Sequence, residues 1–228
     1  ARAWRPAVVA RLAQTLGVTT QAMRLNWPRE TFLFTLAISS VFWLWSNWIT
    51  EPPLREIVNL SSTTFKDYQV NLRVPQTHKL ELEFLRSGRT HEDMLRLVGH
   101  MGLCEGAVEC GKGEPVTVEW ELRNPDGINV IEKRRTVTSD ASGFSSAEVF
   151  RNVAEIQAPP GTYILKVRFI DPSNELASVE TRLALAILPK DTQSWQMATV
   201  WWGTLLLPFA ALPIAIATGL LWLTRSDA

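Results

Sequence analysis

Two stretches of this chain carry no charged residue at all, and they leave few folds open. Thr31–Thr50 is one, and the 33 residues from Thr192 to Thr224 are the other. A helix needs about 20 consecutive apolar residues to cross the hydrocarbon core of a bilayer. Both runs reach that length, so the sequence predicts a membrane protein with two transmembrane α-helices, 31–50 and 195–224. The 23 basic and 23 acidic side chains cancel over the whole chain. They are, however, concentrated between the runs, where 51–191 offers enough polar chain for one domain with its own core. Two spans place that domain wholly on one side and both ends, 1–30 and 225–228, on the other.

Charge sets the orientation. Arg2, Arg5, Arg11, Arg24 and Arg29 stand against Glu30 before the first run, and Arg225 follows the second. Basic flanks remain cytoplasmic, so the expected site is a bacterial inner membrane with cytoplasmic termini and a periplasmic domain. The first run is too long for the apolar core of a signal peptide, and no small-x-small cleavage pattern follows it. It is therefore expected to stay as an anchor. Eight of the ten tryptophans lie in or beside the apolar runs. Trp27, Trp43, Trp45, Trp48, Trp195, Trp201, Trp202 and Trp222 are expected as interface anchors, since indole rings favour the headgroup level.

Within the second span Ala211, Ala215 and Gly219 recur every fourth residue, a small-residue stripe that lets another helix approach closely. Its partner is either the first span or a helix of another protein. Pro208 and Pro213 suggest a tilt or kink.

The middle domain reads as strands: 70–74, 79–85, 116–122, 128–137, 162–169 and 176–188 are β-rich, several with period-two alternation. Asn124-Pro-Asp-Gly127 supplies a hairpin turn, with Pro125 presetting φ and Gly127 accepting a positive one. Thr90 and Asp93 form a capping box for one short helix carrying Met94, Leu95 and Val98, with Gly102 expected to close it. This pattern implies a mainly-β exported domain, a β-sandwich. The entry Pro-Gly-x-Tyr at Pro160–Tyr163 is similar to that of immunoglobulin-like and jelly-roll sandwiches, which implies a fold class and no function.

Cys104 and Cys110 both fall in the exported part, where an oxidising compartment favours a disulfide between them. The alternative groups His91, His100, Cys104 and Cys110 as a soft-metal site, although their spacing matches no zinc or copper pattern. Glu119 and Glu121 face the polar side of their strand with no His, Lys or Tyr expected beside them, which weighs against acid–base catalysis. Lys133-Arg134-Arg135 is expected on an exposed edge. Neither span holds an ionisable residue of the kind that marks ion paths or ligates a cofactor, so no cofactor and no resident metal are expected.

The arm 1–30 reads as a basic amphipathic segment on the inner leaflet. Its stretch Arg11–Trp27, with Ala13, Gly17, Val18 and Thr19 or Thr20 at the corner positions, resembles the helix-turn-helix of repressor-type DNA-binding domains. The leading expectation is a non-catalytic accessory subunit of a larger membrane complex, photosynthetic or respiratory for example. Its partners would be other integral membrane subunits and the lipid bilayer, with no nucleic acid and no small-molecule substrate. The alternative is a transmembrane sensor with a periplasmic ligand-binding domain and a helix-turn-helix-like arm. It would need further chain ahead of Ala1 to complete that fold.

Overall fold

The structure is a computed structural model and describes residues 27–100, 113–170, 172–187 and 193–226. Two long apolar helices, α1 (Trp27–Thr50) and α4 (Trp195–Ser226), flank a mostly-β region with two antiparallel sheets. Both are long and apolar enough to cross a membrane. The chain divides into two compact units, one made of the residues up to Leu44 with those from Gly203 onward, the other Trp45–Trp202. α1 takes in Trp27–Glu30 ahead of the charge-free run, with Glu30 in its first described turn. α4 continues through Pro208 and Pro213 without ending.

One sheet holds five strands in the order β1 (Leu54–Val58), β9 (Thr181–Ala186), β3 (Thr77–Leu85), β7 (Glu148–Gln157), β6 (Gly143–Phe144). The other holds four, β2 (Lys66–Leu72), β8 (Gly161–Ile170), β4 (Val116–Arg123), β5 (Val130–Thr138). Alternation works as anticipated in β4, whose Val116, Val118, Trp120 and Leu122 are all buried. They meet Leu80, Leu82 and Phe84 of β3 in a single apolar core fed by the inner faces of both sheets. The β4–β5 hairpin turns where the proline and glycine indicate: Gly127 has φ 71° and its N–H donates to the Asn124 carbonyl at 2.8 Å. β5 forms the outer edge of its sheet. Its inward positions carry the paired charges Glu132 and Arg134, a device that discourages further strands from adding to the edge.

Three local expectations are corrected. Leu176 opens no strand: the Ser173 hydroxyl accepts the Leu176 N–H at 3.2 Å and caps a one-turn helix, α3 (Asn174–Ala177), so the strand starts only at Thr181. An N-cap satisfies a backbone donor locally, before any strand partner is available. Val74 lies beyond β2, which runs over Lys66–Leu72. The short helix α2 (His91–Val98) starts at the Thr90 cap, with the Asp93 N–H donating to its hydroxyl at 3.1 Å, but ends on Gly99 rather than Gly102. Gly99 has φ 94°, and a Cβ there would lie 2.3 Å from the Ser139 carbonyl oxygen, so only glycine fits.

Candidate functional site

The feature of the β unit with the most specific construction is a collar where α1 ends and α4 begins. The last carbonyls of a helix have no partner within it. At the end of α1 they find Arg73, in the β2–β3 connection. Its Nη1 donates to the carbonyls of Trp48 and, at 3.3 Å, of Glu51, while Nη2 pairs with the Glu51 carboxylate at 3.0 Å. The guanidinium also lies over the Trp48 ring, 5.4 Å from its centroid. A cation at a helix C-terminus is additionally favoured by the helix dipole.

The same connection holds the start of α4. Ser194 takes the N-cap position, accepting from the Met197 N–H at 3.3 Å, and its hydroxyl donates to Gln76 Oε1 at 3.2 Å. Gln193 Oε1 accepts from the N–H and hydroxyl of Thr77 at 3.3 and 3.1 Å. Between these clamps Ile49, Val74, Ile187, Met197 and Val200 form a second buried apolar cluster, with Trp45 against it. Trp45 stacks on Trp195 at 6.4 Å with 18° between planes. Residues 73–77 therefore grip both helix ends by hydrogen bonds, an ion pair and apolar packing. These contacts fasten the last turn of α1 and the first turn of α4 to the β2–β3 connection.

In the helical unit Gly219 lies against α1, where an added Cβ would stand 3.5 Å from Phe32, and at Gly203 it would stand 2.4 Å from the Phe42 ring. Phe32 packs on Trp222 at 6.1 Å, and the Arg29 guanidinium sits 5.7 Å above the same indole. Ala211 and Ala215 line a cavity of about 230 Å³ with Thr35, Ser39 and Trp43 of α1. The stripe Ala211, Ala215, Gly219 thus faces the first helix of its own chain. Of the other tryptophans, Trp27, Trp201 and Trp202 are exposed.

Glu119 and Glu121 are not isolated on their face, as the sequence suggested. Glu121 pairs with Lys133 at 2.6 Å and with Arg123, and Glu119 with Arg168 Nε at 2.7 Å and with Lys133 at 3.4 Å. The lysine comes from the neighbouring strand, since Glu121 is in register with Lys133. Hydrogen bonds from Arg168, then Lys133, hold the Glu119 carboxyl below the usual carboxylate range, and those from Lys133 and Arg123 do the same for Glu121. On the opposite sheet Arg55 and Arg182 share Glu148 at 3.0 Å each, and Arg55 also holds Glu83 at 2.8 Å.

Cys104 and Cys110 lie outside the described residues, so the disulfide and the mixed His/Cys metal site cannot be placed; His91 packs on Phe144 at 5.0 Å. Among the described residues no group of three potential metal-binding side chains comes together. Sequence reasoning missed Arg151, which is fully buried in β7. Its guanidinium donates to the carbonyls of Val98 at 2.7 Å, Leu97 at 3.0 Å, Glu114 at 2.7 Å and Thr138 at 3.1 Å. The available signal was an arginine midway between Val149 and Val153, at an inward position of an alternating strand.

No protein-family model matches the chain, and no curated protein matches it. Among solved structures, the chain is similar to a crystal structure of a protein from Sulfurospirillum deleyianum, with 14% identity over 60% of this chain and 97% of that one. The TM-score is 0.44, too low to carry an argument about fold or function.

Proposed function

We propose that the chain is a non-catalytic accessory subunit of a larger bacterial inner-membrane complex. On this reading α1 and α4 cross the bilayer, both termini are cytoplasmic, and the two-sheet domain, an immunoglobulin-like or jelly-roll sandwich, stands in the periplasm. The helices and the outer surface of the domain dock onto neighbouring integral membrane subunits.

The observation that carries this reading is the collar. Arg73, Gln76 and Thr77 bind the last turn of α1 and the first turn of α4 to one stretch of the β domain, contacts that serve structure rather than chemistry. Three further features support it. Leu33, Phe34, Val41, Leu44, Phe209, Leu212, Leu220 and Leu223 are exposed on the helices, an apolar surface that lipid or other helices would cover. The Arg-rich flanks follow the positive-inside pattern. The carboxylates Glu119 and Glu121 are each held by cations, which makes them poor proton acceptors at neutral pH.

The test is extraction from the native membrane in mild detergent, separation by size, and mass spectrometry of what travels with the chain. Stoichiometric co-migration with a defined set of larger membrane subunits is the expected result. Migration alone, as a monomer or homodimer, would refute the accessory role.

A further inference from the structure

The sheets leave one side open. β1 and β2 are edge strands of different sheets and do not pair with each other; the chain crosses from one to the other through residues 59–65. This loop is built rather than loose. Leu60 is anchored in the core, the Ser61 N–H donates to Asn59 Oδ1 at 2.9 Å, the Ser62 N–H to the Asn59 carbonyl at 3.1 Å, and the Ser62 and Thr64 hydroxyls meet at 3.1 Å. Beneath it lies a cavity of about 450 Å³. That volume is within the range of small-molecule sites, about 300–1,000 Å³.

Its walls divide into two chemistries. Val58 of β1 with Val167 and Phe169 of β8 give an apolar wall, and all three are buried. Lys66 and Tyr68, two residues apart on β2 and so on the same face of the sheet, give the polar side. The Tyr68 ring is buried, and among the described residues its hydroxyl makes no hydrogen bond, whereas the domain's other tyrosine, Tyr163, donates to the Pro159 carbonyl at 2.8 Å. The hydroxyl is not among the buried atoms left without a partner, so it is open to water and to a ligand in the cavity. Lys66 is held only by the Tyr68 ring. Its Nζ lies 5.0 Å from the Tyr68 ring centroid and forms no ion pair among the described residues.

We propose that this cleft between β1 and β2 binds a small amphipathic monocarboxylate, with its apolar body against Val58, Val167 and Phe169 and its carboxylate between the Lys66 ammonium and the Tyr68 hydroxyl. The two donors stand close together, Nζ packed over the ring that bears the hydroxyl, and two donors with one positive charge match the two oxygens and one charge of a carboxylate. A phosphate dianion would keep an unmatched charge in a cavity walled by hydrocarbon. Burial first, and the Glu56 carboxylate second, hold the Tyr68 phenol above its ordinary range, so at neutral pH it is protonated and able to donate. Glu56 itself does not line the cavity. This inference is independent of the accessory-subunit reading, since a docked subunit and a free one would bind the ligand alike.

The test uses the full chain in lipid nanodiscs and two fluorinated probes, 4-(trifluoromethyl)phenylacetate and its uncharged amide, followed by 19F NMR line broadening against empty nanodiscs. The expected result is saturable binding of the carboxylate, weakened at least about tenfold by Lys66→Ala and about three- to tenfold by Tyr68→Phe, with the amide binding at least about tenfold more weakly than the carboxylate. Lys66 is exposed and Tyr68→Phe retains the ring, so both variants leave the apolar core intact. Broadening no greater than with empty nanodiscs, equal binding of acid and amide, or unchanged binding by both variants would each overturn the proposal. An independent result from the co-migration experiment leaves these outcomes as they stand.

Discussion

Replacing Arg151 with methionine tests how the β unit tolerates a fully buried cation. The guanidinium lies among the carbonyls of Leu97, Val98, Glu114 and Thr138, with the Phe84 ring 5.3 Å below it. Two of those carbonyls belong to the last turn of α2, where a helix leaves its acceptors unpaired. Burial pushes the guanidinium down to about 10, so it stays charged at neutral pH. The drop from 12.5, in which burial outweighs attraction to Asp140 and Glu114, corresponds to a net cost of the buried charge of about 3 kcal/mol, at about 1.4 kcal/mol per unit. Hydrogen bonds to a charged donor contribute about 1.5–3 kcal/mol each, so four of them at the lower end contribute about 6 kcal/mol. Arg151→Met removes both quantities and should therefore destabilise the domain by about 3 kcal/mol. Arg151→Lys keeps the buried charge but offers a single ammonium in place of the planar fork, so it should cost at least as much. Pulse proteolysis of the full chain across a urea series measures the difference. At a slope of about 2 kcal/mol per molar, the midpoint falls by about 1.5 M for the methionine variant. A midpoint for Arg151→Met at or above that of the parent chain would mean that the four carbonyls do not depend on the arginine. A lysine variant as stable as the parent would remove the argument from fork geometry.

Two further outcomes follow from the same unit. His78 is fully buried, and burial lowers its pKa below the ordinary 6.5. The unfolded chain therefore takes up the proton first, and stability present above pH 6.5 should be lost as the pH falls through that value toward the folded pKa, by at most about 1.4 kcal/mol per pH unit. Urea midpoints between pH 7.5 and 5 should slope accordingly, and His78→Leu should flatten the slope; an unchanged slope would assign it to other groups. Gly99→Ala should cost at least about 2 kcal/mol in the same assay, because the residue combines φ 94° with backbone atoms 2.3 and 3.1 Å from an added Cβ. A midpoint equal to the parent's would show that the α2 terminus relaxes freely.

What the sequence by itself determined is what depends on neighbours along the chain. Charge-free runs of sufficient length give α1 and α4, alternation gives the buried face of β4, and Pro125 with Gly127 gives the hairpin turn, because helix length, strand pleat and turn dihedrals are set within a few residues. The Thr90 cap is legible for the same reason. Where two local signals competed, the sequence reading failed: at Leu176 the Ser173 cap prevailed over β propensity, and at α2 Gly99 closed the helix before Gly102. Only the tertiary structure decided the pairing of Lys133 with Glu119 and Glu121, the grip of residues 73–77 on both helix ends, the four carbonyls gathered by Arg151, and the cleft at Tyr68. Each joins segments far apart in the chain, Arg151 to Leu97 across 54 residues and Ser194 to Gln76 across 118. A lysine, an arginine or a tyrosine carries no mark in the sequence of which distant backbone will satisfy it, or of whether any will. That depends on the order of strands in the sheets, and strand order is fixed by which hydrophobic faces cover one another once the whole domain has folded.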